Sequence, residues 1–285
     1  MVVKMKLDFI VNKYLLIWHL LYQSSVSEDI HKLKQKLWKD NKKEYTLIHK
    51  DKSFILEDVC NFIPDNDLIY NKVESSLFFK KVKIETSRYR LALLEAWDKN
   101  RKKYMLEMNK ILKYDFKGDY NICVIHPSLD VIETDLETNT VTIGKKIASR
   151  DKDNFLTYLI YKILKQEFLN IKTDEREIVD AITELITINE LFTRVTKESK
   201  YNMGKKSLRE IKEKIYPYWL MYLGYEKSDM EKLFVRDNIF FDINNLEYNK
   251  IFKELDIYGF INYIIKNKKE ILNKKTVVIE EIELL

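Results

Sequence analysis

The chain has 285 residues, enough for one large domain or a few small subdomains with a sizeable core. It has only 5 Gly and 3 Pro, which speaks against a sandwich or barrel of many short strands and against a glycine-rich phosphate loop. Against 45 acidic residues stand 50 basic ones, a net charge of +5; this is a mixed, solvated surface, and nucleic acid is not expected as a partner.

Residues 1 to 117 read as an N-terminal helical region. "NKYLLIWHLLYQSS" (12 to 25) has an apolar part of about nine residues that contains His19, too short to span a membrane. It lacks a small-residue cleavage site, so a buried helix is expected in place of a signal peptide, and no membrane association. "SVSEDIHKLKQKLWKD" opens on Ser27 as a cap, with Glu28 and Asp29 in the first turn and Ile30, Leu33 and Leu37 at helical spacing. "FIPDND" is a loop signal, with Pro64 and Asp65 as turn formers. The stretch from 85 to 115 predicts a long helix with Tyr89, Leu93, Leu94 and Trp97 on its apolar stripe.

The texture changes at Gly118. "YNICVIHPSL" is a short β-branched run ended by Pro127, and "DVIETDLETNTVTIG" alternates around a polar turn as a hairpin does. Two long helices follow, about 151 to 169 and 174 to 195. Residues 118 to 200 form the second region and 201 to 285 a C-terminal helical region that includes the aromatic "IYPYWLMYLGY" (215 to 225). The fold class is α+β, mainly helical, with a small antiparallel sheet. Cys60 and Cys123 lack CxxC spacing and fit reduced thiols of a cytoplasmic protein. The four histidines have no metal-ligand spacing. His126, before Pro127, is expected to be a satisfied structural histidine. "FFKKVK", "KNRKK" and "KNKKEILNKK" read as solvated faces.

Strand, hairpin, helix and a second helix with a central glutamate resemble the core of the zincin metallopeptidases, in particular the gluzincin branch, whose first helix carries HExxH. The likeness covers about 120 to 195. It implies that "TVTIG" (140 to 144), with Thr142, is the substrate-edge strand, "LIYKILKQ" (159 to 166) the active-site helix and "DAITELITINEL" (180 to 191) the helix that supplies Glu184. In this register Tyr161 and Lys165 stand at the two histidine positions and Lys162 at the general base. Freeing one lysine amine at pH 7 costs about 4 to 5 kcal/mol before any coordination. Zinc is therefore expected to be absent, with no other cofactor.

The second helix is apolar nearly all round, so Glu184 is expected to be buried and to need a partner. A Lys165–Glu184 ion pair capped by the Tyr161 hydroxyl is the expected arrangement. Tyr216 or Tyr218 would stand at the family's oxyanion-stabilising position, against a plain packing role. The leading expectation is a catalytically inactive, metallopeptidase-like protein that binds an extended peptide or protein partner by strand addition along "TVTIG", with a cleft of Tyr161, Lys162, Lys165, Glu184, Thr142 and Tyr218. Alternatives are an atypical hydrolase using Lys162 or Lys165 with Glu184, and a helical nucleic-acid-binding or interaction protein.

Overall fold

The computed structural model describes residues 5–22, 28–48, 60–65, 67–135, 139–145, 152–198, 204–236 and 250–273. In chain order the elements are β1 (Met5–Ile10), α1 (Lys13–Tyr22), α2 (Glu28–Asp40), α3 (Lys42–Leu47), α4 (Leu68–Glu74), α5 (Leu77–Leu112), β2 (Gly118–Val124), β3 (Val131–Asp135) and β4 (Thr140–Gly144). There follow α6 (Lys152–Glu167), α7 (Arg176–Glu184), a π-helical segment (Leu185–Leu191), α8 (Phe192–Thr196), α9 (Arg209–Leu223), α10 (Lys227–Arg236), α11 (Ile257–Lys266) and α12 (Lys268–Asn273). Among the described residues the chain is mainly helical with one small sheet.

It divides into two compact units. Unit 1 holds residues 1–101 and 117–156, and unit 2 holds 102–116 and 157–285. One boundary, between 116 and 117, falls beside the expected cut at 117; the others, after 101 and 156, lie inside α5 and α6, so that 118 to 200 is shared between the units. A continuous helix carries no Pro, Gly or composition change at position 101 or 156, so neither cut is marked in the sequence.

Unit 1 contains the sheet, in the order β1-β2-β4-β3. β1 pairs parallel with β2, β2 parallel with β4, and β3 antiparallel with β4. The expected antiparallel sheet is thus mixed: only the β3–β4 hairpin is antiparallel, while β2 runs parallel to β4 and β1, which lies in the region expected to be helical, runs parallel to β2. Its side chains alternate as a half-buried strand requires, with Met5, Leu7 and Phe9 inside and Lys6 outside. β4 is hydrogen-bonded on both sides, and all five of its residues are buried. Thr142 sits between Cys123 of β2 and Glu133 of β3. "TVTIG" is therefore not an edge strand, and its backbone has no donors or acceptors left for an added peptide.

The unit 1 core gathers Leu16, Ile17 and Leu20 of α1 with Ile30, Ile69, Phe79 and Ile125. Asn12 starts α1: its Oδ1 accepts from the amides of Tyr14 (2.8 Å) and Leu15 (3.1 Å). Its Nδ2 donates to the carbonyls of Cys60 and Phe62, both at 2.9 Å. That contact brings the 60–62 turn to the sheet, where Cys60 and Cys123 are joined as a disulfide. The expectation of reduced thiols fails here because proximity came from tertiary packing across 63 residues, which spacing cannot report. Ser27, the expected cap of α2, lies outside the described residues. No helix among the described residues is long and apolar enough to cross a membrane.

In unit 2, α9 and α11 pack an aromatic cluster in which Trp219 stacks on Tyr222 at 5.1 Å and Phe260 meets Tyr222 at 4.9 Å. Lys113 closes this cluster. Its ammonium donates to the carbonyls of Tyr222 (2.7 Å), Lys253 (3.0 Å) and Phe252 (3.2 Å) and lies 4.0 Å above the Tyr222 ring.

His19 is buried, its Nδ1 has no hydrogen-bond partner, and burial pushes its pKa from the ordinary 6.5 down to about 4. Between these values the unfolded chain holds the extra proton, so stability falls as pH drops, by about 3 kcal/mol at pH 4. Denaturant melts at pH 7 and pH 4.5 should show a loss that His19→Leu largely removes. Thiol alkylation of the unreduced, denatured chain should add no label. Opening the loop with paired Cys60→Ala and Cys123→Ala changes should cost about 4 kcal/mol.

Candidate functional site

The helix turn after 168 folds α7 back on α6, so residues equally far from that turn face each other. Lys165 meets Asp180, its Nζ 2.6 Å from Oδ2. One turn further along each helix, Tyr161 is near enough to feel the charge of Glu184 as well as that of Asp180. The expected Lys165–Glu184 pair is one turn out of this register and does not form. Lys165 and Asp180 keep 36% and 22% side-chain exposure, so their pairing is a surface interaction of at most about 1 kcal/mol.

Glu184 is buried, as the apolar surface of its helix requires, and it has a lysine partner from another helix. Lys212 of α9 places Nζ 3.2 Å from Glu184 Oε2, and both side chains have 0% exposure. The Lys205 amide donates to both carboxylate oxygens at 3.3 Å. Gly204, at φ +62°, brings the chain past this pair. A Cβ there would stand 2.8 Å from Glu184 Cδ and 2.9 Å from Lys212 Nζ, so no side chain fits. Burial lowers the Lys212 pKa and the Glu184 charge opposes the shift. The two threonines flanking Glu184 turn inward as well: Thr183 and Thr187 donate to the carbonyls of Val179 and Thr183, both at 2.7 Å. The helix widens to π geometry immediately after Glu184.

The Tyr161 hydroxyl caps nothing. Its Oη is buried and has no hydrogen-bond partner. Burial, with smaller contributions from Asp180 and Glu184 and against the pull of Lys165, pushes its pKa up to about 12. Tyr158 stacks on Tyr161 at 5.7 Å between centroids. Two ammonium groups lie over these rings: Lys205 5.6 Å from Tyr161 and Lys162 5.7 Å from Tyr158. Tyr218 is buried, its ring against Phe252 at 5.9 Å, the packing role weighed from the sequence. Thr142 belongs to the sheet of unit 1 and the other five cleft residues to unit 2.

These groups do not fit zinc. A phenol of pKa about 12, a paired ammonium and a carboxylate already engaged by an ammonium and an amide offer no set of three deprotonated ligands. Lys212 and Lys205 were not singled out from the sequence, nor was Asp180. For Lys212 a signal existed: Leu208, Lys212, Ile215, Trp219 and Tyr222 follow the 4-3-4-3 spacing of one helix face, and all are buried. Comparison of the chain with protein-family models, curated proteins and solved structures returned no match.

Removing one member of a buried ion pair strands the other. Lys212→Met and Glu184→Leu should each lower stability by about 3 to 5 kcal/mol, and the double change should cost less than the two summed. Tyr161→Phe removes an unpaired hydroxyl and should leave the melting temperature unchanged or raised. A large loss in Tyr161→Phe would show that the hydroxyl has a partner.

Proposed function

We propose that the chain is a partner-binding protein of zincin-like layout that does not work as a metallopeptidase at Glu184. The observation that carries this reading is the Lys212 ammonium 3.2 Å from the Glu184 carboxylate, both out of water. At the one position that matches a family metal ligand, the Lys212 amine uses the carboxylate's acceptor capacity, and its charged form repels a divalent cation. Lys165 and Lys162, at the former ligand and base positions, are held by Asp180 and by the Tyr158 ring.

The partner is an acidic peptide or protein segment that meets the half-exposed Lys162–Lys165 face of α6. Strand addition along β4 is not part of the reading, since both its sides are occupied. The cytoplasmic expectation rested on free thiols, and the Cys60–Cys123 bond removes that support.

The test has two arms. Elemental analysis after dialysis against zinc and then metal-free buffer should find far less than about one zinc per chain, as expected when no deprotonated ligand set is offered. An array of acidic and neutral extended peptides should bind selectively and salt-dependently through the acidic members, without cleavage products by mass spectrometry. Lys162→Glu with Lys165→Glu should weaken that binding about tenfold or more, with the fold kept and the melting temperature lowered only slightly by the lost Lys165–Asp180 pairing. Stoichiometric zinc, or binding indifferent to both charge reversals, would sink the reading.

A further inference from the structure

A second polar constellation lies wholly in unit 1 and does not depend on the reading of Glu184. β2 ends at Val124, and the Ile125 amide donates to the Ile143 carbonyl at 2.8 Å. His126 follows in extended conformation, as a residue before proline prefers, and caps a single 3-10 turn, Pro127–Leu129. Asp130, at φ +51°, ends that turn in the left-handed region. The turn puts His126 and Ser128 side by side. His126 Nδ1 is 2.5 Å from Ser128 Oγ, and Nε2 is 2.9 Å from Glu85 Oε2 on α5.

The neighbours decide the tautomer. The Ser128 backbone N–H, which can only donate, points at Nδ1 from 3.3 Å. Nδ1 is therefore the acceptor, and in the neutral ring Nε2 carries the hydrogen and donates it to Glu85. The Ser128 hydroxyl, in turn, donates to Nδ1. Hydroxyl, imidazole and carboxylate stand in the order in which a base lifts a proton from a nucleophile while an acid holds the base in orientation. The Glu85 carboxyl is held below its ordinary range, chiefly by the His126 hydrogen bond, and Lys81 lies 4.0 Å from its Oε1. The group reaches solvent in part: Ser128 is half-buried, and the His126 side chain is 12% and Glu85 41% exposed.

We propose that Ser128, His126 and Glu85 form an acyl-transfer site with Ser128 as nucleophile. Ser128 Oγ bonds to the carbonyl carbon of an ester while its proton passes to His126 Nδ1. The bond from that carbon to the leaving oxygen breaks, and the Nδ1 proton goes to the departing alkoxide, releasing an alcohol. Water then attacks the acyl-serine, gives a proton to Nδ1, and Oγ leaves and takes that proton back. The products are the acid and the alcohol. Glu85 stays ionised throughout and stabilises the transient imidazolium.

The backbone narrows the substrate class. The Ser128 amide is engaged by Nδ1, and the Leu129 amide donates to the His126 carbonyl at 3.0 Å. Neither is spare to stabilise an oxyanion, a contribution of about 10²- to 10³-fold per donor elsewhere. The site therefore takes esters with a good leaving group, not peptide amides.

The test uses the full chain and a fluorophosphonate probe, whose phosphorus is captured by an activated serine hydroxyl. Peptide mapping should place the adduct on Ser128. Hydrolysis of an activated aryl ester should fall by about a hundredfold, to the level of free imidazole, in Ser128→Ala and in His126→Gln. Glu85→Gln, which keeps an acceptor for Nε2–H but loses the charge, should slow labelling about tenfold or more with the fold intact by circular dichroism. No adduct on the wild-type chain, an adduct on another residue, or Ser128 labelling of unchanged rate in His126→Gln or Glu85→Gln overturns the proposal.

Discussion

A carboxylate and an ammonium that have both left water set the terms for unit 2. Glu184 and Lys212 have no exposure, and each would be costly alone. Their surroundings are arranged to satisfy them. The Lys205 amide covers both carboxylate oxygens, and Gly204 lets the chain pass where any side chain would collide. The pair also ties α7 to α9 at a defined register, because an ammonium on a four-carbon stem can reach the carboxylate from few positions along its helix. Apolar contacts alone tolerate small slips between helices; a buried charge pair does not, since a slip of one turn would strand both charges.

Much of the fold follows from local chemistry that the sequence displays. The β3–β4 hairpin, the helix at 152 to 167 and the long helix from 176 appear where alternation and 3.6-residue periodicity place them, and α1 is the buried helix its nine apolar residues imply. β1 shows the limit. "MKLDFI" alternates in the manner of a strand, but its parallel partner β2 begins more than a hundred residues later, and six residues beside a leucine-rich run are easily absorbed into it. The disulfide is the same kind of miss. Nothing near Cys60 or Cys123 refers to the other; Asn12, which bonds the turn at Cys60 and Phe62, is part of what brings them together.

The candidate site was half legible for a similar reason. The burial of Glu184 and its need for a cation follow from an apolar helix surface, and both hold. The choice of lysine does not follow from sequence distance. Lys165 is nearer in the chain but meets Asp180, because a helical hairpin pairs residues equidistant from its turn. Lys212, the actual partner, occupies the inward position of an otherwise apolar seam running from Leu208 to Tyr222. A lysine in such a seam demands a buried acid, so the two misfits, one acid and one base, pointed to each other across 28 residues.

The charged groups of the molecule sort by access to solvent, and access decides what each can do. The Glu184–Lys212 pair has the chemistry of an acid and a base but cannot meet a substrate, since no part of either side chain reaches the surface. In the hydrogen-bonded row of Ser128, His126 and Glu85, a short turn carries the first two and α5 the third, with its carboxylate exposed. Its hydroxyl proton has an acceptor, and a carboxylate stands on that acceptor's other nitrogen. The carboxylate on the far nitrogen holds the hydrogen on Nε2 and so keeps Nδ1 the acceptor that the cap and the Ser128 hydroxyl both use. A neutral acceptor on Nε2 would serve the cap as well; a negative charge there is placed to balance an imidazolium formed when Nδ1 takes the hydroxyl proton, which is a requirement of proton transfer and not of turn formation.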